Sequence, residues 1–240
     1  MLARQLLRLI CLVTVCGFLG SCGLRHAVVA PPPHDLTWTK RSIAVSELEA
    51  LAGESPDLTT SRCMEILARL NHKDRCYIQK DMKKGNVLKV PNDFLAYLDW
   101  TPLPSRLERE ADVPEFILVV KDIGFLGWYE NGKLLGSTYV CIGKKRKWTR
   151  SGLYKVMNKD IDHVSSSYNS AFGYPALMPF ALRIYGRVWI HGGDVTRKNC
   201  SHGCINLPLD AAEELYSWAD PGAKVLIIES LGDLDRASEG

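Results

Sequence analysis

The stretch FILVVKDIGFLGWYENGKLLGSTYVCI, residues 116–142, decides the fold class. Apolar and β-branched residues fill three short runs, Phe116–Lys121, Phe125–Tyr129 and Leu134–Ile142, whose length and composition are those of strands. Glu130-Asn131-Gly132-Lys133 separates the last two, and its Asn-Gly pair favours the type I′ turn of a tight hairpin. Farther along, Gly152–Met157, Phe180–Tyr185, Val188–His191 and Lys224–Glu229 read as strands, with Gly186-Arg187 turning the chain between the second and third. Leu209–Ala219 has helical character and Asp220-Pro221-Gly222 stops it. Many short strands and one late helix predict a mainly β fold, a β-sandwich or partly open barrel rather than a parallel sheet.

Upstream the pattern is mixed. Ser46–Ala52 and Thr60–Leu70 read as short helices, the second carrying Met64, Leu67 and Leu70 at helical spacing with Thr60 as its cap. Tyr77–Pro91 reads as a turn followed by a short strand. Residues 35–110 therefore read as a small α+β accessory segment, with Thr101–Pro104 and the charged Ser105–Asp112 as a connector at its end. The wording LARLN…IQKDMKKGNVLKVP resembles the second half of a LysM-type wall-binding module; the competing reading is a structural extension of the domain that follows.

The N-terminus has the order of an export signal. Arg4 and Arg8 precede the apolar stretch Leu9–Leu19, and small residues follow. Leu19-Gly20-Ser21-Cys22 looks like a bacterial lipobox, in which Cys22 becomes the first mature residue and carries lipid; the alternative is a plain signal with Cys22 incidental. Residues 22–34, with AVVAPPP at 27–33, read as a stiff tether between anchor and folded part. The expected location is periplasmic or cell-envelope. Gly23 in place of an aspartate after Cys22 leans toward an outer membrane where there are two. Residues 231–240 read as a frayed tail.

Composition narrows the function. The formal net charge of +3 is too small to argue for a nucleic-acid partner. Lys144-Lys145-Arg146-Lys147 is the one sharp basic cluster, either a solvated loop or a contact for a carboxylate-rich substrate. Beyond Cys22 lie Cys63, Cys76, Cys141, Cys200 and Cys204, and exported cysteines tend to pair. An odd number leaves at least one thiol free. Cys63 with Cys76 is one expected disulfide; Cys141 and Cys200 either pair with each other or stay as buried thiols.

The chemistry concentrates in VWIHGGDVTRKNCSHGCINL, residues 188–207. A cysteine nucleophile needs a base, donors for a developing oxyanion and access for substrate. His191 ends an apolar run, and Ser201-His202-Gly203-Cys204-Ile205-Asn206 follows a short polar loop. Gly203 lets backbone approach substrate closely.

These residues carry a resemblance. ILVVKDIGFLGWYENGKLLGSTYVCIG at 117–143, SGLYKV at 151–156, HVSSSYNSAFGYPALMPFALRI at 163–184 and WIHGG…SHGCINL at 189–207 occur in the order of the L,D-transpeptidase (YkuD-like) catalytic domain, so that residues 114–230 resemble that family. The resemblance implies a β-rich fold and peptidoglycan chemistry. It implies Cys204 as nucleophile, His191 as general base and acid, and Gly192 as the backbone group orienting the imidazole. It also implies amides at His202, Gly203 and Cys204 as oxyanion donors, with His202, Ser201, Asn206 and Tyr174 around the substrate. Tyr168, Phe172 and Tyr174 form either a substrate-covering segment or ordinary core, and His163 is structural or a pocket wall.

The implied reaction is acyl transfer from a tetrapeptide stem, with D-alanine leaving and an amine accepting. The implied partners are peptidoglycan stem peptides, with carbapenem-type β-lactams as inhibitors and no cofactor. Two departures stand out: nine residues separate His191 from Ser201, fewer than in longer-loop members, and Thr149-Arg150-Ser151-Gly152 replaces the family's Thr-Pro-x-Gly run. Cys200, four residues before Cys204, is a candidate for a redox role. The alternatives are an L,D-carboxypeptidase or amidase using the same cysteine and a non-catalytic wall-binding lipoprotein. A zinc site of His191, Cys200, His202 and Cys204 is disfavoured by its poor chelate spacing.

Overall fold

The computed structural model describes residues 36–234, Arg146 and Ala171 apart. The expected export signal, the lipidation site Cys22 and the tether lie outside the described residues. Among the described residues no helix is long and apolar enough to cross a membrane.

The elements run β1 (Trp38–Arg41), α1 (Val45–Glu54), α2 (Thr60–Asn71), α3 (Arg75–Lys83), β2 (Leu88–Pro91), β3 (Phe116–Val120), β4 (Phe125–Glu130), β5 (Lys133–Tyr139), β6 (Ile142–Gly143) and β7 (Gly152–Lys155). There follow β8 (Asn158–Asp160), β9 (Val164–Asn169), β10 (Pro175–Leu177), β11 (Ala181–Tyr185), β12 (Val188–Gly192), β13 (Asn199–Ser201), β14 (Ile205–Leu207), α4 (Leu209–Trp218) and β15 (Lys224–Ile228). Among the described residues the fold is mostly β with few helices and no closed barrel, as the strand pattern predicts.

A five-stranded sheet ordered β5-β4-β3-β15-β7 lies at the centre. The hairpin between β4 and β5 forms where the Asn-Gly pair predicts it: Asn131 has φ 48° and Gly132 φ 76°, the two positive values a type I′ turn requires. β3 runs antiparallel to β4 and parallel to β15. A second sheet, ordered β14-β12-β11-β8, covers one face. Its Leu182, Ile190 and Ile205 meet Ile117, Val119 and Leu126 of the first sheet, and Leu215 of α4 joins the same core. The other face carries Phe116, Leu118, Val120 and Phe125, which pack on Leu48, Leu67 and Ile78 of α1, α2 and α3. Both faces of β3 are therefore buried, and that is why FILVV is unbroken rather than alternating.

The helices that precede residue 110 thus share a core with the β domain, and the described residues form one compact unit. Arg69 of α2 reinforces the contact by donating to the Ser137 carbonyl of β5 at 2.8 Å. Several local expectations are corrected. The turn expected from Tyr77 is instead part of α3, whose buried residues are Ile78 and Met82 alone, too few to show as periodicity. α2 is capped by Thr59, not Thr60: the Thr59 hydroxyl accepts the Arg62 N–H at 3.1 Å. The two larger sheets are mixed, since β12 pairs parallel with β14 and β3 with β15, and β13 adds a separate parallel pair with β6. Of the two alternatives for Cys141 and Cys200, pairing holds: they form the disulfide among the described residues, with Cα atoms 5.6 Å apart. Cys63 and Cys76 do not pair, because Cys63 faces the buried side of α2 while Cys76 is exposed on α3.

Leu67 is completely buried between α2 and the central sheet. Leu67→Ala is expected to destabilise by about 2–5 kcal/mol. Because the core is shared, calorimetry should show this as a downward shift of one cooperative transition; two separating transitions would contradict the shared core.

Candidate active site

The site is built on the parallel pairing of β12 with β14, which sets His191 opposite Asn206. Ile190 and Ile205, opposite each other in the same ladder, face the core. Alternation then turns His191 and Asn206 to the other face of the sheet, and Cys204 stands two residues ahead of Asn206.

His191 is 6 % exposed, and its Nδ1 lies 2.8 Å from the Gly192 carbonyl. A carbonyl only accepts, so Nδ1 carries the proton and Nε2 keeps a lone pair. Burial, with a smaller effect of nearby His163, pushes the imidazole pKa down to about 4 against the raising effect of the Gly192 bond. At neutral pH the ring is therefore a neutral base with a defined tautomer. Cys204 is half-buried among Met178, Ala181 and Trp189. Its burial raises the thiol pKa and a backbone hydrogen bond with Trp189 works the other way, so the resting sulfur is a thiol. The thiol points to the Arg187 carbonyl at 3.8 Å.

The loop before Cys204 is tied down from within. Ser201 is buried; its hydroxyl donates to the Cys204 carbonyl at 2.6 Å and accepts the Gly203 N–H at 3.1 Å. Ser201 is thus turned into the loop rather than toward substrate, and the Gly203 amide expected to face an oxyanion is already engaged. The flanking amides of His202 and Cys204 remain as the donors of that set. Gly203 has φ 136°, and a Cβ there would stand 3.2 Å from the Trp148 carbonyl, so the position demands glycine on both counts. Thr149, buried and not anticipated from the sequence as a site residue, accepts from Gly143 N–H at 2.9 Å and donates to the Gly203 carbonyl at 2.8 Å. Asn206 Nδ2 donates to the Asp194 carbonyl at 3.2 Å, which makes it a support for the loop.

His191, His202 and Cys204 open into one cleft of about 1500 Å3. His202 stacks on Tyr168 with centroids 4.2 Å apart and on Trp148 at 5.7 Å. Tyr168 belongs to the projecting β9–β10 ribbon, which also brings the 87 % exposed Phe172 to the cleft. Tyr174, expected at the substrate, is exposed near the tip of that ribbon and does not line the cleft. His163 forms wall: it stacks on Trp189 at 4.0 Å and holds Asp160 at 2.9 Å. The far wall comes from the N-terminal helices. Asp74 accepts the Val195 N–H at 2.7 Å, and Tyr77 donates to Asp194 at 2.9 Å. Nothing in the local sequence of α3 announced this role; it follows from packing alone.

The cleft brings a neutral imidazole and a thiol to one space, the two group types that proton transfer coupled to nucleophilic attack requires. Among the described residues no His, Cys, Asp or Glu group is arranged to hold a metal ion, and Cys200 is spent in its disulfide. Residues 114–227 match the family YkuD, L,D-transpeptidase catalytic domain. No curated protein matches the chain. Among solved structures, the L,D-transpeptidase (Yku) of Stackebrandtia nassauensis is 21 % identical, with TM-score 0.51, covering 85 % of this chain and 100 % of that one. The LD transpeptidase LdtMt1 in complex with imipenem is 23 % identical with TM-score 0.43, and the match covers 48 % of this chain and 59 % of that one. An Enterococcus faecium L,D-transpeptidase is 26 % identical with TM-score 0.43, covering 48 % of this chain and 50 % of that one. The chain thus spans less than two thirds of the length of the last two.

Depression of the His191 pKa to about 4 has a consequence for stability. Between the ordinary value near 6.5 and that depressed value, the unfolded chain binds a proton that the folded chain refuses. The contribution of His191 is complete above about pH 6.5 and falls as pH drops, by up to about 1.4 kcal/mol per unit. Asp74, raised mainly by burial to about 6, acts in the same window with the opposite sign. The difference between wild type and His191→Gln in denaturant titrations isolates the histidine: the wild-type advantage should shrink from pH 6.5 to pH 4. A pH-independent difference would contradict a buried neutral imidazole.

Proposed function

We propose that this chain, whose residues 114–227 form a YkuD-type L,D-transpeptidase catalytic domain, is a cysteine acyltransferase acting on peptidoglycan stem peptides. The observation that carries the reading is the neutral, tautomer-defined His191 sharing one cleft with Cys204 and the amides beside it.

Attack begins with proton transfer from the Cys204 thiol to His191 Nε2 as the sulfur adds to the carbonyl carbon of the stem's L,D peptide bond. The Gly192 carbonyl keeps Nδ1–H in place and steadies the imidazolium that forms. Amides of His202 and Cys204 receive the oxyanion. The tetrahedral species collapses by breaking the C–N bond, and the imidazolium gives its proton to the departing D-alanine amine. A thioester on Cys204 remains. An acceptor amine then attacks it, loses its proton through His191 and leaves a new amide with Cys204 a thiol again. The energy of the first peptide bond is retained in the thioester, so no nucleotide is consumed. Arg183 and Arg187 line the same cleft and supply cations for stem carboxylates. In this reading the protein is exported and held at the envelope through Cys22, and a strained β-lactam carbonyl such as a carbapenem's acylates Cys204 by the same route.

The test is intact-protein mass spectrometry with a disaccharide-tetrapeptide and, separately, with a carbapenem. A Cys204 thioester together with dimers or D-amino-acid exchange supports the transpeptidase. Loss of D-alanine without dimers points to water as acceptor and an L,D-carboxypeptidase. Cys204→Ala should abolish turnover in a folded protein, and His191→Gln should slow acylation about 10²–10⁴-fold. Full activity in either variant sinks the mechanism.

A further inference from the structure

Cys141 holds both ends of the loop that carries the nucleophile. One end is covalent, through the Cys141–Cys200 disulfide. The other is a reciprocal backbone bridge: Cys141 N–H donates to the Asn206 carbonyl at 2.9 Å and Asn206 N–H to the Cys141 carbonyl at 2.8 Å. Cys204 lies between these anchors. Cys141 is completely buried, whereas Cys200 is half-buried and lines the active-site cleft, so a reductant reaches the pair from the substrate side.

We infer that the Cys141–Cys200 disulfide is a positioning element for the Cys204 acylation site, and that its reduction by a dithiol lowers acyl transfer without unfolding the domain. The inference rests on the reading of Cys204 as the nucleophile. A reductant thiolate attacks Cys200 Sγ, the S–S bond breaks and Cys141 leaves as thiolate to take up a proton. The second thiol of the reductant then attacks the mixed disulfide and releases Cys200. Two electrons and two protons pass to the protein, and the dithiol leaves as a disulfide. Reduction removes the one covalent tie at the Cys200 end and leaves weaker ones, the short β13–β6 pairing, the Asn199 side-chain bond to the Gly143 carbonyl and the contact of Cys200 with the Asp194 carbonyl, while the Asn206 bridge, the Ser201 bonds and the Thr149 bond to Gly203 persist. The change falls on the alignment of the His202 and Cys204 amides. Acylation, which needs those amides, and simple alkylation of the thiol, which does not, should therefore separate.

Full-length protein, as isolated and after phosphine reduction, is compared in rate of carbapenem acylation, in rate of iodoacetamide alkylation mapped to the Cys204 peptide, and in thermal unfolding. Expected are a Cys141–Cys200 linked peptide before reduction and acylation slowed at least tenfold after it. Cys204 alkylation should not slow, the transition should stay cooperative, and reoxidation should restore the rate. The double variant Cys141→Ala with Cys200→Ala should behave as the reduced protein. Equal acylation rates in the two redox states, free Cys141 and Cys200 in the isolated protein, or collapse of the transition on reduction would each overturn the inference. If the oxidised protein is not acylated at all, the acyltransferase reading fails first and the inference with it, an outcome distinct from equal rates.

Discussion

The parallel pairing of β12 with β14 is the constraint from which the site follows. A parallel pair cannot be closed by a tight turn, so residues 193–204 must leave the end of β12 and return to the start of β14. On the way the chain lays β13 against β6, also parallel, and is cross-linked to Cys141. The excursion ends in the Ser201–Cys204 turn, where the Ser201 hydroxyl bridges Gly203 and Cys204 and leaves no freedom for that side chain to act elsewhere. The sheet thus places His191 on a strand and Cys204 on a loop pinned at both ends.

Burial decides the charge state of the pair. A half-buried thiol and a nearly inaccessible imidazole are both pushed toward their neutral forms, His191 downward and Cys204 upward. The resting site therefore holds a thiol and an imidazole, not a thiolate and an imidazolium. In the proposed reaction, proton transfer is left to the moment of attack, with backbone amides receiving the new charge. The Gly192 carbonyl matters most in that scheme, because it decides which imidazole nitrogen carries the proton.

The N-terminal helices do more than extend the chain. They bury the second face of β3 and β4, and through Asp74 and Tyr77 they fasten the 193–198 excursion from the side opposite the sheet. One wall of the cleft accordingly belongs to residues that precede the family-matched region 114–227. The stacking of His202 on Tyr168 and Trp148 similarly ties the projecting ribbon and the basic turn to the nucleophile loop.

Much of this was legible in the chain itself. Strand runs, the Asn131-Gly132 hairpin and the late helix rest on local composition and spacing, which a linear reading captures, whereas the roles expected of His191 and Cys204 rest on the family resemblance. Short strands such as β13 and β14 were not legible, because three residues carry no period and exist only through their partners. Tyr174 was expected at the substrate, but of that segment's aromatics it is Tyr168 and Phe172 that line the cleft. The pairing of Cys141 with Cys200 rather than both staying free, the separation of Cys63 from Cys76, the inward turn of Ser201, and the clamp from Asp74 were decided by tertiary structure alone. Each depends on which atoms meet across large separations in sequence, and such meetings are set by sheet register and two-sided burial rather than by any neighbouring residue.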